Sequence, residues 1–249
     1  MRVLTENGNA IGSKENKEGS IYLNTQTWAV LANIADKSLL NGIFDTLYKK
    51  LKTQRGFQYF APSYKEVYPQ VGTISQFLPG KKENGSIFNH ANAFAIIALA
   101  KLGRREDAYQ LLKTISPSTQ SDLDPDLYGL EPYVYCQNVT GPSSPDYGEG
   151  NYHWLSGTVS WTYRALLDYI FGIQPEYEGV NIDPCLPPEW DEVSVSREIQ
   201  GNSWLFNFRQ AEHSKGNIDS ITINGKSVEG SFIPHSENNG SVKVEIEIT

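Results

Sequence analysis

The sequence predicts a mainly α-helical chain, with paired helices forming part of an (α/α) toroid, followed by a small antiparallel β domain. Three observations predict it. Apolar residues recur at helical spacing in several segments before Gly172. Long connectors rich in aromatics, Gly and Pro join those segments, and after Pro175 the pattern turns to polar–apolar alternation.

Taken in order, residues 1–24 are rich in Gly, Asn and Lys and read as loop. Trp28, Leu31, Ala32 and Ala35 share one side of a helix expected over Thr25–Ala35. Leu39, Ile43, Leu47 and Leu51 mark a second over Ser38–Lys52, ended by Gly56. The aromatic stretch Phe57–Asn89 is too long for an ordinary connector, which points to function. Helices are expected at His90–Leu102 and Arg104–Ile115, separated by Gly103, and Ser116–Ser156 reads as irregular. A strong helix should run over Thr158–Phe171 to Gly172. Strands are expected at Val193–Ile199, Trp204–Arg209, Ile218–Ile223 and Val242–Ile248. The domain boundary is therefore expected near 175, with a helical domain over 1–175 and a β domain over 176–249.

Composition narrows the function classes. The hydrophobic fraction of 39% supports a buried core and argues against global disorder. A net charge of −8 without a long basic run excludes nucleic acid as a partner. Cys136 and Cys185 fit no metal-ligand spacing and are expected as reduced thiols. The polar start Met1–Asn9 has no signal-peptide character, and no apolar stretch approaches membrane-spanning length. A cytoplasmic protein is expected. The 14 Tyr and 5 Trp suit sugar faces as well as helix packing, and composition cannot separate the two uses.

Three polar clusters fall on loops or helix starts. In the first, Lys81-Lys82-Glu83-Asn84-Gly85 leads into Phe88-Asn89-His90-Ala91-Asn92. Asn89 can cap the helix there and His90 can fill a polar corner, or the group of amides, Lys and Glu can form a site. The second, Glu131-Pro132-Tyr133-Val134-Tyr135-Cys136-Gln137, sets an amide among aromatics, which offers donor and acceptor together to a sugar hydroxyl. The third, Trp154-Leu155-Ser156-Gly157-Thr158, opens the strongest helix. A hydroxyl there serves as an N-cap, and free N–H groups beside a small Gly also suit an anion.

The runs Ile21–Val30, Pro79–Gly85, Phe88–Asn92, Glu131–Tyr135 and Ile182–Pro187 resemble the inverting cellobiose/chitobiose phosphorylases, in order and over nearly the whole chain. The resemblance implies the C-terminal portion of an (α/α)6 barrel and the family's small β-sheet domain. It implies reversible phosphorolysis of a β-linked disaccharide or oligosaccharide to a sugar 1-phosphate, with cellobiose or a cellodextrin as the leading substrate. Inorganic phosphate is then the co-substrate, and no metal or organic cofactor is expected. His90 matches the family's phosphate-contacting histidine, and Ser156 with Gly157 matches its Thr-Gly phosphate pair. Lys82, Glu83 and Gln137 match acceptor-side contacts, and Phe77 falls near an aromatic wall of that subsite.

Because phosphate is itself the nucleophile, such a reaction needs a proton donor but no protein base. The family's donor is an Asp in an Asp-Trp-Asn-Asp-like motif, which has no counterpart here; Glu189-Trp190-Asp191 lies in the tail region. No catalytic residue is therefore assigned, and the N-terminal part of the enzyme is expected to be missing. Two alternatives stand beside the phosphorylase reading: an inactive remnant or partner subunit that binds sugar or phosphate, and a related hydrolase that uses water. Either a homodimer or a complement to the missing N-terminal portion is expected.

Overall fold

The computed structural model describes residues 3–235 and 240–249. Its helices are α1 (Leu23–Leu31), α2 (Lys37–Leu51), α3 (Asn89–Lys101), α4 (Arg105–Ile115), α5 (Pro117–Leu123), α6 (Pro125–Tyr128) and α7 (Thr158–Arg164). The last continues as a π-helical turn over Ala165–Ile170. The chain divides into two compact units, one of residues 1–102 with 110–163 and one of residues 103–109 with 164–249.

A mainly α fold is not what forms. Among the described residues the protein is 32% helix and 27% strand, with six sheets, so it is a mixed α/β fold. The expected toroid is overturned for a physical reason. The connectors taken as irregular pair with one another through ladders of only two to four residues. Such pieces are too short to show any period in sequence, yet their backbone groups still need partners once buried.

In the first unit the same device occurs twice. Gly19-Ser20-Ile21-Tyr22 runs straight into α1, and Gly85-Ser86-Ile87-Phe88 runs straight into α3. Ile21–Tyr22 pairs antiparallel with Phe60–Ala61. Ile87–Phe88 pairs with Cys136–Val139, which pairs in turn with Gly150–His153. Trp28 and Phe94 hold matching positions in the two helices, and their rings meet edge-on at 5.4 Å between centroids. Phe94 also touches Trp161 of α7 at 4.6 Å, so three aromatic rings join α1, α3 and α7.

Helix α3 is buried on every side from Asn89 to Ala100, with His90 the exception. Its Ala-rich sequence permits that close approach, because small side chains let neighbouring elements come near its backbone. Helix α2 buries only Leu40, Phe44, Leu47 and Leu51, the stripe expected of a surface helix. Asp36 caps α2 by accepting from the Leu39 N–H at 3.0 Å.

The second unit carries a five-stranded sheet in the spatial order 192–199, 202–210, 241–248, 218–223, 226–228. Trp204, Phe206, Phe208, Val242, Val244 and Ile246 are buried at alternate positions, as the alternation predicted. The expectation of an antiparallel sheet fails at one pair: residues 203–210 run parallel to 241–248. Alternation reports which face is buried and says nothing about which neighbour a strand takes. A smaller sheet joins Ile173–Pro175, Gly179–Ile182 and Phe232–Pro234.

Candidate functional site

The starts of α3 and α7 meet on one backbone carbonyl. Asn89, the first residue of α3, donates from Nδ2 to the Cys136 carbonyl at 3.1 Å. Thr158, the first residue of α7, donates from its hydroxyl to the same oxygen at 3.3 Å. Asn89 therefore does not cap its helix; the N-cap is Phe88, which has no side-chain cap bond. The buried Cys136 carbonyl, held by two donors, ties the helix start next to His90 to the helix start next to the Ser156-Gly157 step.

Ser156 is tied locally. Its hydroxyl accepts from the Thr158 N–H at 3.0 Å and lies 2.5 Å from the Thr158 hydroxyl. Gly157 has no structural need to be glycine. Its backbone is not left-handed, and a methyl there would meet only Trp161 Cδ1, at 3.9 Å. Space beside the helix start is thus open to a ligand. Rings also connect His90 to this region: His90 packs edge-on to Phe94 at 5.5 Å, and Phe94 packs on Trp161.

Burial pushes the His90 imidazole below its ordinary range, and the Glu83 carboxylate nearby offsets part of that shift. The ring is accordingly neutral at pH 7. Glu83 Oε2 is buried and has no hydrogen-bond partner, an acceptor left for a ligand hydroxyl or for His90 itself.

Adjacent lysines do different things. Lys81 reaches Glu149 at 2.6 Å and Asp146 at 3.0 Å. Burial disfavours its charge, but those two carboxylates outweigh it and hold the pKa above the ordinary lysine value. Lys82 turns the other way, with its ammonium 3.8 Å from the Tyr152 ring centroid and 5.9 Å from that of Phe77. Among the described residues no carboxylate pairs with it. The register of the strands, Cys136 opposite His153 and Asn138 opposite Asn151, leaves Gln137 opposite Tyr152. Two of the expected acceptor-side residues, Phe77 and Lys82, therefore share a cluster with Tyr152 that is centred on the Lys82 ammonium.

Tyr152 is the residue that sequence reasoning missed. Nothing in Asn151-Tyr152-His153-Trp154 marks one aromatic above another, and the contact to Lys82 joins positions distant in sequence. Asn92, by contrast, was grouped with His90 and turns out to serve the fold, with every polar atom bonded to backbone. No group of three or more His, Cys, Asp or Glu side chains among the described residues could hold a metal ion. Among the described residues no helix is long and apolar enough to cross a membrane. Both cysteines are buried.

A lysine beside aromatic rings, a buried carboxylate and a half-buried histidine are together the residue types of a carbohydrate-active domain. Residues 1–172 match the catalytic domain of the glycosyl hydrolase 94 superfamily, and the chain belongs to that family. It is 33% identical over 237 residues to the N,N'-diacetylchitobiose phosphorylase of Vibrio proteolyticus, covering 95% of this chain and 30% of that protein. It is 32% identical to the solabiose phosphorylase of Paenibacillus borealis, covering 94% and 30%. The cellobionic acid phosphorylase of Neurospora crassa is also 32% identical, covering 91% and 29%. The chain spans about 30% of the length of these relatives.

Proposed function

We propose that the chain carries the phosphate site and the acceptor-sugar side of an inverting glycoside phosphorylase. His90, Ser156 and Gly157 would hold inorganic phosphate, and Lys82, Glu83, Gln137 and Phe77 would hold the sugar on the leaving side. The observation that supports this most is the shared Cys136 carbonyl, which ties the start of α3 to the start of α7. A neutral imidazole can give one N–H to phosphate, and the Ser156 hydroxyl a second hydrogen bond once its proton turns from the Thr158 hydroxyl that it meets at 2.5 Å; the Thr158 N–H stays with Ser156 Oγ.

On the sugar side the chemistry is complementary. Glu83 accepts from hydroxyls, Lys82 donates to them, Gln137 does both, and Phe77 offers an apolar face. The proton donor for the leaving oxygen is assigned to none of these residues. The leading substrate is cellobiose or a cellodextrin, with phosphate as co-substrate and no cofactor. The named relatives differ in the disaccharide they cleave, so the acceptor is the part of this reading that substrate assays must decide. We place the protein in the cytoplasm, as a homodimer or as the complement of an N-terminal portion.

Calorimetric titration of the full chain with inorganic phosphate tests the reading. Binding that H90A and S156A each weaken at least several-fold supports it. An absence of binding, or binding indifferent to both variants, would overturn it.

A further inference from the structure

We propose that Tyr152 is the positioning residue of the acceptor subsite: its ring holds the Lys82 ammonium in place for the sugar. This rests on the reading of Lys82 given above and deepens it, because Tyr152 would act through Lys82 and leave phosphate binding alone.

Four observations carry it. The Lys82 ammonium lies 3.8 Å from the Tyr152 ring centroid, well inside cation–π range, with Phe77 on the farther side at 5.9 Å. Lys82 and Tyr152 both have left-handed backbones, with φ of 45° and 57°. Such conformations cost free energy in residues that carry a Cβ, and they persist where the surroundings enforce a particular side-chain placement. The Tyr152 side chain is 45% exposed, so its ring is not there to fill the core. Finally, Tyr152 lies on the strand paired with the one that carries Gln137, between Asn151 and His153, which pair with Asn138 and Cys136.

Lys81 is the internal comparison. Its charge is answered by two carboxylates, and it is spent on structure. Lys82 has no such partner among the described residues, and an aromatic face stabilises its charge without occupying its N–H groups. Those donors remain for hydroxyls. The segment that carries Tyr152 runs on within four residues to Ser156, and His153 fastens it through a 2.7 Å contact to Glu131. One short segment would thereby serve the sugar with Tyr152 and the phosphate with Ser156.

The experiment is a double-mutant cycle on the full chain, using D-glucose and N-acetyl-D-glucosamine as sugar probes, with inorganic phosphate titrated separately. Y152A should weaken binding of at least one sugar about two- to thirty-fold, the range that loss of a cation–π contact implies. Y152F keeps the ring and should bind within about two-fold of the parent. In a K82M background the further change to Y152A should have no effect, because the residue it acts through is gone. Phosphate affinity should stay within about two-fold in every variant. Unchanged sugar binding in Y152A overturns the proposal, as does full additivity with K82M. An equal loss of sugar and phosphate binding also overturns it, since that reports a collapsed loop. If the parent chain binds phosphate but neither sugar, the acceptor-side reading of Lys82 falls and this inference with it. If it binds none of the probes, the proposed function itself is wrong.

Discussion

The Asn92 side chain clasps the Phe57 backbone from both ends. Its Oδ1 accepts from Phe57 N–H at 2.8 Å, and its Nδ2 donates to the Phe57 carbonyl at 2.9 Å and to the Phe88 carbonyl at 3.0 Å. Asn92 is fully buried, so this bond set joins α3 to the 56–57 ladder where water cannot substitute. Each orphaned buried group costs about 1–3 kcal/mol. N92A is therefore expected to lose at least about 3 kcal/mol in denaturant unfolding. A loss below 1 kcal/mol would mean the clasp is replaceable.

His90 should leave a mark on the pH dependence of stability. Burial depresses its pKa in the folded protein, with Glu83 restoring part of the shift. In the unfolded chain it titrates near the ordinary value of about 6.5. The unfolded state thus binds more protons between the two values, so the contribution is complete above about pH 6.5. It is lost as pH falls through the folded pKa. Unfolding free energies at pH 7.5 and 5.5 should differ less in H90N than in the parent, and equal differences would refute the assignment. Bound phosphate should act oppositely, raising the His90 midpoint followed by NMR.

Gly157 and Ser156 separate binding from folding. G157A adds a methyl with only an ordinary contact to Trp161, so stability should change by less than about 1 kcal/mol. Phosphate affinity should nevertheless fall at least tenfold, because the methyl fills the space the anion is assigned. S156A removes the acceptor for the Thr158 N–H and should cost about 1 kcal/mol, and S156T should restore phosphate binding. Wild-type phosphate affinity in G157A would place the anion elsewhere.

The neighbouring lysines should respond in opposite ways. K81M breaks contacts to Glu149 and Asp146, which are half exposed, so the expected loss is modest, about 0.5–1 kcal/mol. K82M should leave the melting temperature nearly unchanged while weakening sugar binding. Thermal melts paired with sugar titrations would show whether the two effects divide in this way.

Local signals in the sequence determined α1 to α4, the opening of α7, the edges of the long strands, and the residue types of the candidate site, but not α5 and α6, which lie in a stretch that reads as irregular. The α2 stripe, α3, the opening of α7 and the alternation of Trp204, Phe206 and Phe208 could all be read within a few residues, because each depends on neighbours one turn or two positions away. Which distant groups meet was decided by the tertiary structure. Two-residue ladders such as Ile21–Tyr22 with Phe60–Ala61 make the fold mixed α/β, and they carry no period to read. The parallel pairing of 203–210 with 241–248 is equally silent in alternation. Lys81 and Lys82 look alike in sequence; carboxylates from residues 146 and 149 claim one, and the ring of Tyr152 claims the other. Asn92 became a structural clasp and His90 a half-buried candidate ligand because one lies against the Phe57 backbone and the other beside Glu83. Residue type limits what a side chain can do, but its partners arrive through the folding of segments far apart in the chain, and those partners select the role.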